Sequence, residues 1–151
     1  MKILTLIILF YSFLNSALAH EYENEIIFID HPWMNIMQSK GAGYFSIKNK
    51  STTNALIFIG AESKEINKIE IHEVIMEGEI MKMRPLNDGM SIEKNTTIEF
   101  KPKSYHLMFF GIHKMYKQGD MIDVRLLFKN ADSLNIKFKV DSVKSSHNHD
   151  H

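Results

Sequence analysis

Lys68–Leu86 reads KIEIHEVIMEGEIMKMRPL, and the fold follows from how its two halves are read. Each half is short and rich in β-branched residues. Glu77-Gly78 lies between them and suits a hairpin turn, because glycine tolerates positive φ. The stretch predicts strands over Lys68–Ile75 and Ile80–Leu86. Outward from it the same pattern recurs at Glu25–Asp30, Gly43–Lys48, Ala55–Gly60, Thr96–Phe100, Tyr105–Ile112, Met121–Phe128 and Leu134–Val140. Apolar and polar residues alternate in several of these, as Ile136, Phe138 and Val140 do with Lys137 and Lys139, which is the period of a strand with one buried face. Asn87-Asp88-Gly89 marks another turn. No stretch keeps a helical period over three turns, so the expectation is an all-β antiparallel sandwich or barrel.

The two ends of the chain read differently from its middle. Lys2, an apolar run from Ile3 to Leu14 and the small residues Ala17-Leu18-Ala19 have the order of an export signal. We therefore expect residues 1–19 to be a signal peptide, His20 the first residue of the mature protein, 20–141 a single domain, and 142–151 a mobile polar tail carrying histidines. The apolar run is shorter than the roughly 20 residues needed to span a bilayer, and no later stretch approaches that length, so no membrane span is expected. Processing would take one of the 18 basic residues and none of the 18 acids. That near balance gives no electrostatic footprint for nucleic acid.

The 151 residues include no cysteine and 10 methionines, of which only Met1 lies in the expected signal. Thiol redox chemistry, thiolate zinc sites and the cysteine-ligated blue-copper centre are thereby excluded. Two segments carry a soft-metal signature instead. In His106-Leu107-Met108, residues two apart on a strand face the same way, about 6.6 Å apart, so one ion can meet both side chains. Across the Glu77-Gly78 hairpin, His72 comes near Met83, with Met81 two residues before it. Thioether and imidazole together favour copper(I), whereas carboxylates and carbonyls favour magnesium or calcium. Neither donor forms the disulfides that disable cysteine outside the cytoplasm.

The same site offers no acidic partner, no nucleophile beside a base and no thiolate to tune a redox couple, so binding and release are expected rather than catalysis. A second candidate is His147, His149 and His151, a histidine cluster suited to copper(II). His20 would add an amino terminus to its imidazole if cleavage falls before it. His31, His113, Met37, Met115 and Met121 are read as structural.

Taken in order, His31-Pro32-Trp33, Gly41–Asn49, Ile71-His72-Glu73, Met76-Glu77-Gly78, Met81–Pro85, Lys101-Pro102, Tyr105–Met108 and Gly119-Asp120 resemble the PCu(A)C periplasmic copper chaperones. That family's copper motif is a His, ten residues, a Met, twenty-one residues, then His-x-Met. Ten residues separate His72 from Met83 here, but twenty-two, Arg84 to Tyr105, separate Met83 from His106. The extra residue belongs most naturally in the Asn87-Asp88-Gly89 turn. Placed within Ile98–Tyr105 it would slip the register and turn His106 and Met108 to the other face.

The resemblance implies a cupredoxin-like Greek-key sandwich with His72, Met83, His106 and Met108 as copper(I) ligands. It also implies a monomer in the periplasm of a Gram-negative bacterium, carrying copper for the copper-containing subunit of cytochrome c oxidase alongside Sco-type thiol chaperones. A copper buffer or resistance protein without a dedicated recipient, and a non-metal interaction sandwich, are the rival readings.

Overall fold

The computed structural model describes residues 20–144. Eleven strands make it up: β1 (Glu21–Glu23), β2 (Ile27–Met37), β3 (Lys40–Asn49), β4 (Leu56–Glu62), β5 (Ile66–Glu77), β6 (Ile80–Pro85), β7 (Met90–Ile92), β8 (Thr97–Phe100), β9 (His106–Ile112), β10 (Met121–Phe128) and β11 (Leu134–Lys144). They form one sheet in the order β6-β5-β9-β3-β2-β11-β10-β4-β7, with β1 beside β2 and β8 beside β3.

The period-two pattern sets which face is inside. Along β3, Phe45 and Ile47 point inward, as Leu107 and Phe109 do on β9 and Ile136, Phe138 and Val140 on β11. The sheet curls so that rings from strands far apart in its order meet: Phe45 of β3 meets Phe58 of β4 at 6.3 Å, and Phe138 of β11 meets Phe45 at 5.7 Å and Phe109 of β9 at 5.5 Å, edge to face. Gly43 permits this, since a Cβ there would lie 2.6 Å from the Phe109 ring and 2.9 Å from that of Phe138. Buried Asn49 is satisfied, donating to the carbonyls of Asn54 and Ile92 and accepting from the Ser51 amide.

The all-β architecture is the expected one, with two differences. β11 runs parallel to β2, the one parallel pair among the named strands. Periodicity fixes which face of a strand is buried but carries no information about its neighbour's direction, and almost the whole chain intervenes as the crossover a parallel pair requires. The same pairing extends the domain: Ser142, Val143 and Lys144, expected in the tail from residue 142, continue β11 opposite Asn35, Ile36 and Met37. Ser142 Oγ and Asn35 Oδ1 are 2.7 Å apart. The expected signal at 1–19 and the histidines at 147, 149 and 151 lie outside the described residues.

Candidate metal centre

The hairpin forms one residue further on than expected: its two-residue loop is Gly78-Glu79, and Glu77 closes the ladder by pairing with Ile80. Gly78 has a φ of 63°, the positive value that a type II′ turn gives to glycine at its first central position. Met76 then pairs with Met81, Val74 with Met83 and His72 with Pro85. On its other side β5 pairs with β9, bringing His72 directly opposite His106 and Glu70 opposite Met108. Residues directly opposite share a face, so His72, Met83, His106 and Met108 all lie on the outer side of the β6-β5-β9 ribbon. His72 is at the centre, with Met83 and Met108 as diagonal neighbours at roughly 7–8 Å on opposite sides of it, so the two thioethers flank the histidine pair rather than meeting each other. Leu107 and Phe109 occupy the inner side of β9, so the register slip considered above does not occur.

The two imidazole rings lie 5.6 Å apart, centre to centre, and are tilted by 56°. With metal–nitrogen bonds of about 2 Å, an ion sits about 3 Å from the centre of the ring that binds it, so a single ion can bridge this separation. His106 is only 4% exposed although it faces outward. Tyr44 on β3 covers it, with ring centres 6.5 Å apart, and Tyr44 in turn rests on Trp33 of β2 at 4.5 Å. Phe110 flanks His72 at 6.1 Å. This burial lowers the His106 pKa, against a smaller opposing effect from its backbone hydrogen bond, and it raises that of Tyr44.

Which nitrogen of each ring is available follows from its hydrogen bonds. His106 Nδ1 donates to the Ser104 carbonyl at 3.0 Å, which leaves the Nε2 lone pair as the donor. His72 Nε2 lies 2.8 Å from Glu70 Oε2. A carboxylate only accepts, so His72 Nε2 carries the proton and Nδ1 holds the lone pair. Glu70 is fixed on its other side by Lys68 Nζ at 2.9 Å. The His72 bond, followed by that of Lys68, holds its carboxyl below the usual range. An imidazole oriented by a carboxylate is a recurrent arrangement behind metal-binding histidines. The expectation that the site has no acidic partner is therefore corrected. A glutamate at an outward strand position reads as ordinary surface, so the only sequence signal of Glu70 is its two-residue spacing from His72.

Among the described residues no three His, Asp or Glu side chains gather into a group able to hold a metal. An ion held at this face would need the thioethers. Met83, at 62% exposure, stands open to solvent on edge strand β6. His20 lies ahead of β1, its carbonyl accepting from the His31 amide at 3.2 Å, and its neighbour is β2 rather than β5 or β9. His113 Nε2 is 3.0 Å from Asn67 Nδ2.

Residues 27–140 match the LpqE-like family model. Uncharacterized protein RP573 of Rickettsia prowazekii (strain Madrid E) is 26% identical over 102 residues, 68% of this chain and 56% of that protein. The match thus spans little more than half the length of that relative. Among solved structures, the copper-bound PCuAC domain from PmoF2 superposes with a TM-score of 0.67 at 21% identity, covering 82% of this chain and 98% of that domain. The apo PCuAC domain from PmoF1 gives 0.68 at 17% identity, covering 82% and 99%. The solution structure of CuI-DR1885 from Deinococcus radiodurans gives 0.60 at 17% identity, covering 84% and 83%. At these identities the likeness establishes the fold.

Proposed function

The chain belongs to the LpqE-like family, and from its outer sheet face we propose that it binds one copper(I) ion through His72, Met83, His106 and Met108 and passes it on without catalysis. The observation that carries this reading is the β5–β9 register, which sets His72 opposite His106 with a thioether on each diagonal. That solved neighbours of the same fold are described as copper-bound and as CuI-DR1885 adds support.

Four uncharged donors suit a monovalent soft cation, which gains little from carboxylates and is held by thioether and imidazole. On this reading His106 contributes Nε2 and His72 contributes Nδ1, each aimed by the hydrogen bond on its other nitrogen. The half-buried end at His106 and Met108 fixes the ion's position. The exposed end at Met83 is where a recipient's thiolates displace the ligands one at a time, a ligand exchange with no change in oxidation state. Export to the periplasm, delivery to the copper-containing subunit of cytochrome c oxidase and cooperation with Sco-type thiol chaperones complete the proposal. Copper(II) holding by His147, His149 and His151 is a subsidiary part of it.

X-ray absorption on the copper-loaded protein tests the ligand set. Two sulfur and two nitrogen scatterers are expected, and a first shell of oxygen and nitrogen alone would overturn it. Deleting the gene tests the recipient. Loss of oxidase assembly at limiting copper supports delivery, whereas normal oxidase activity with reduced copper tolerance would make the protein a buffer.

A further inference from the structure

The hairpin of β5 and β6 has two unlike faces. On one, Arg84 pairs with Glu73 at 2.6 Å and Lys82 pairs with Glu77. On the other, Met76 stands directly opposite Met81, and Met83 follows two residues along β6. All three methionines are exposed, Met76 at 60%, Met81 at 46% and Met83 at 62%. They do not behave as core filler: Met34, by comparison, is fully buried. They also differ from the exposed Met37, which lies opposite Lys40 and Lys144 rather than another thioether.

We propose that Met76, Met81 and Met83 form an auxiliary copper(I) site at the hairpin, which captures the ion by thioethers alone and passes it along the same face to His72. The passing step rests on the function proposed above; the capture does not. Directly opposed residues have Cβ atoms about 4.5–5.5 Å apart, and their diagonal neighbours lie at about 7–8 Å. Three rotatable bonds let each side chain turn its sulfur toward a common point. Thioethers carry no titratable proton and are soft, so the site takes copper(I) or silver(I) and leaves copper(II) and zinc(II) in solution. Lacking imidazole, it binds more weakly than the four-donor centre, and Met83 belongs to both. An ion captured by Met76 and Met81 therefore reaches His72 by exchanging one ligand at a time, with no redox step.

The test is a silver(I) titration of the protein carrying [methyl-13C]methionine, followed by NMR. The Met83 and Met108 methyl signals are expected to shift with the first equivalent, and those of Met76 and Met81 with the second. In a Met76→Leu/Met81→Leu variant the second phase should vanish while the first keeps its affinity, and copper(I) loading should slow severalfold. Met76 and Met81 signals that stay in place at excess silver(I) would overturn the auxiliary site. Shifts at Met76 and Met81 with Met108 unmoved would support capture at the hairpin and overturn the four-donor centre instead.

Discussion

β9 is paired along its whole length with Ile66–His72 of β5, yet the two ends of that pair do different things. At one end His72 faces His106 and the outer side carries imidazole and thioether donors. At the other, Ile66 faces Ile112, and Glu65 just before β5 is tied to the Tyr116 hydroxyl and, at 3.1 Å, to Lys114 Nζ beyond β9. Between the ends, Ile69, Ile71, Leu107 and Phe109 turn inward to the core. The donors thus sit on a ladder whose position is set by residues on its other face. One end is closed by a charged latch and the other holds lone pairs near the rim. The lesson is that the two jobs are separable by residue, although they share strands.

The sharpest way to break that separation compares neighbours on β9. Phe109 is fully buried against Phe138, and Phe109→Ala should cost about 3–5 kcal/mol of stability. Met108→Leu conserves volume and should cost less than about 1.5 kcal/mol, while copper(I) affinity falls at least about tenfold, some 1.4 kcal/mol. Thermal unfolding of the apo proteins and chelator competition for copper(I) read the two effects. A Met108→Leu protein that unfolds as early as Phe109→Ala, or that binds copper(I) as tightly as the wild type, would show that the two faces are not separate.

A smaller effect sharpens the donor end. Glu70→Ala removes the acceptor that orients His72, and outer-shell partners of this kind are worth roughly ten- to a hundredfold in metal affinity. Glu70→Gln keeps an oxygen able to accept from Nε2 and should recover most of the loss. Equal affinities in the wild type and Glu70→Ala would make the contact incidental.

Much of this arrangement can be read from the chain. Ile136, Phe138 and Val140 are buried while Lys137 and Lys139 are exposed, and β10 has the bounds expected for it. The hairpin that brings His72 toward Met83 forms within one residue of where Glu77-Gly78 places it, which leaves Met83 opposite Val74 and diagonal to His72. What was not legible depends on partners rather than on pattern. β1 and β7 have three residues each, too few to show a period, and they exist because β2 and β4 offer them edges. β2 runs through His31-Pro32 because a bulge between Asp30 and Trp33, with His31 at a φ of 54°, absorbs a proline that reads as a break. Glu70 and Tyr44 take their places at the centre only once β5, β9 and β3 lie side by side.

The smallest expected effect lies at the latch and involves no donor. Glu65 has its pKa lowered first by the Tyr116 hydroxyl and then by Lys114. A carboxyl depressed on folding binds its proton less readily in the native state than in the unfolded chain. Its stabilising contribution is therefore complete above the unfolded value of 4.5 and is lost as the pH falls through the lower, folded value. Apo melting temperatures measured from about pH 6 downward should fall in that acid window, and Glu65→Gln should flatten part of the decline while lowering stability slightly at neutral pH. Copper(I) affinity at neutral pH should be unchanged, because the latch meets the donors only through the ladder between them. A loss of copper(I) affinity in Glu65→Gln would mean that this end helps to set the donor positions, and the β5–β9 pair would then act as one unit rather than two.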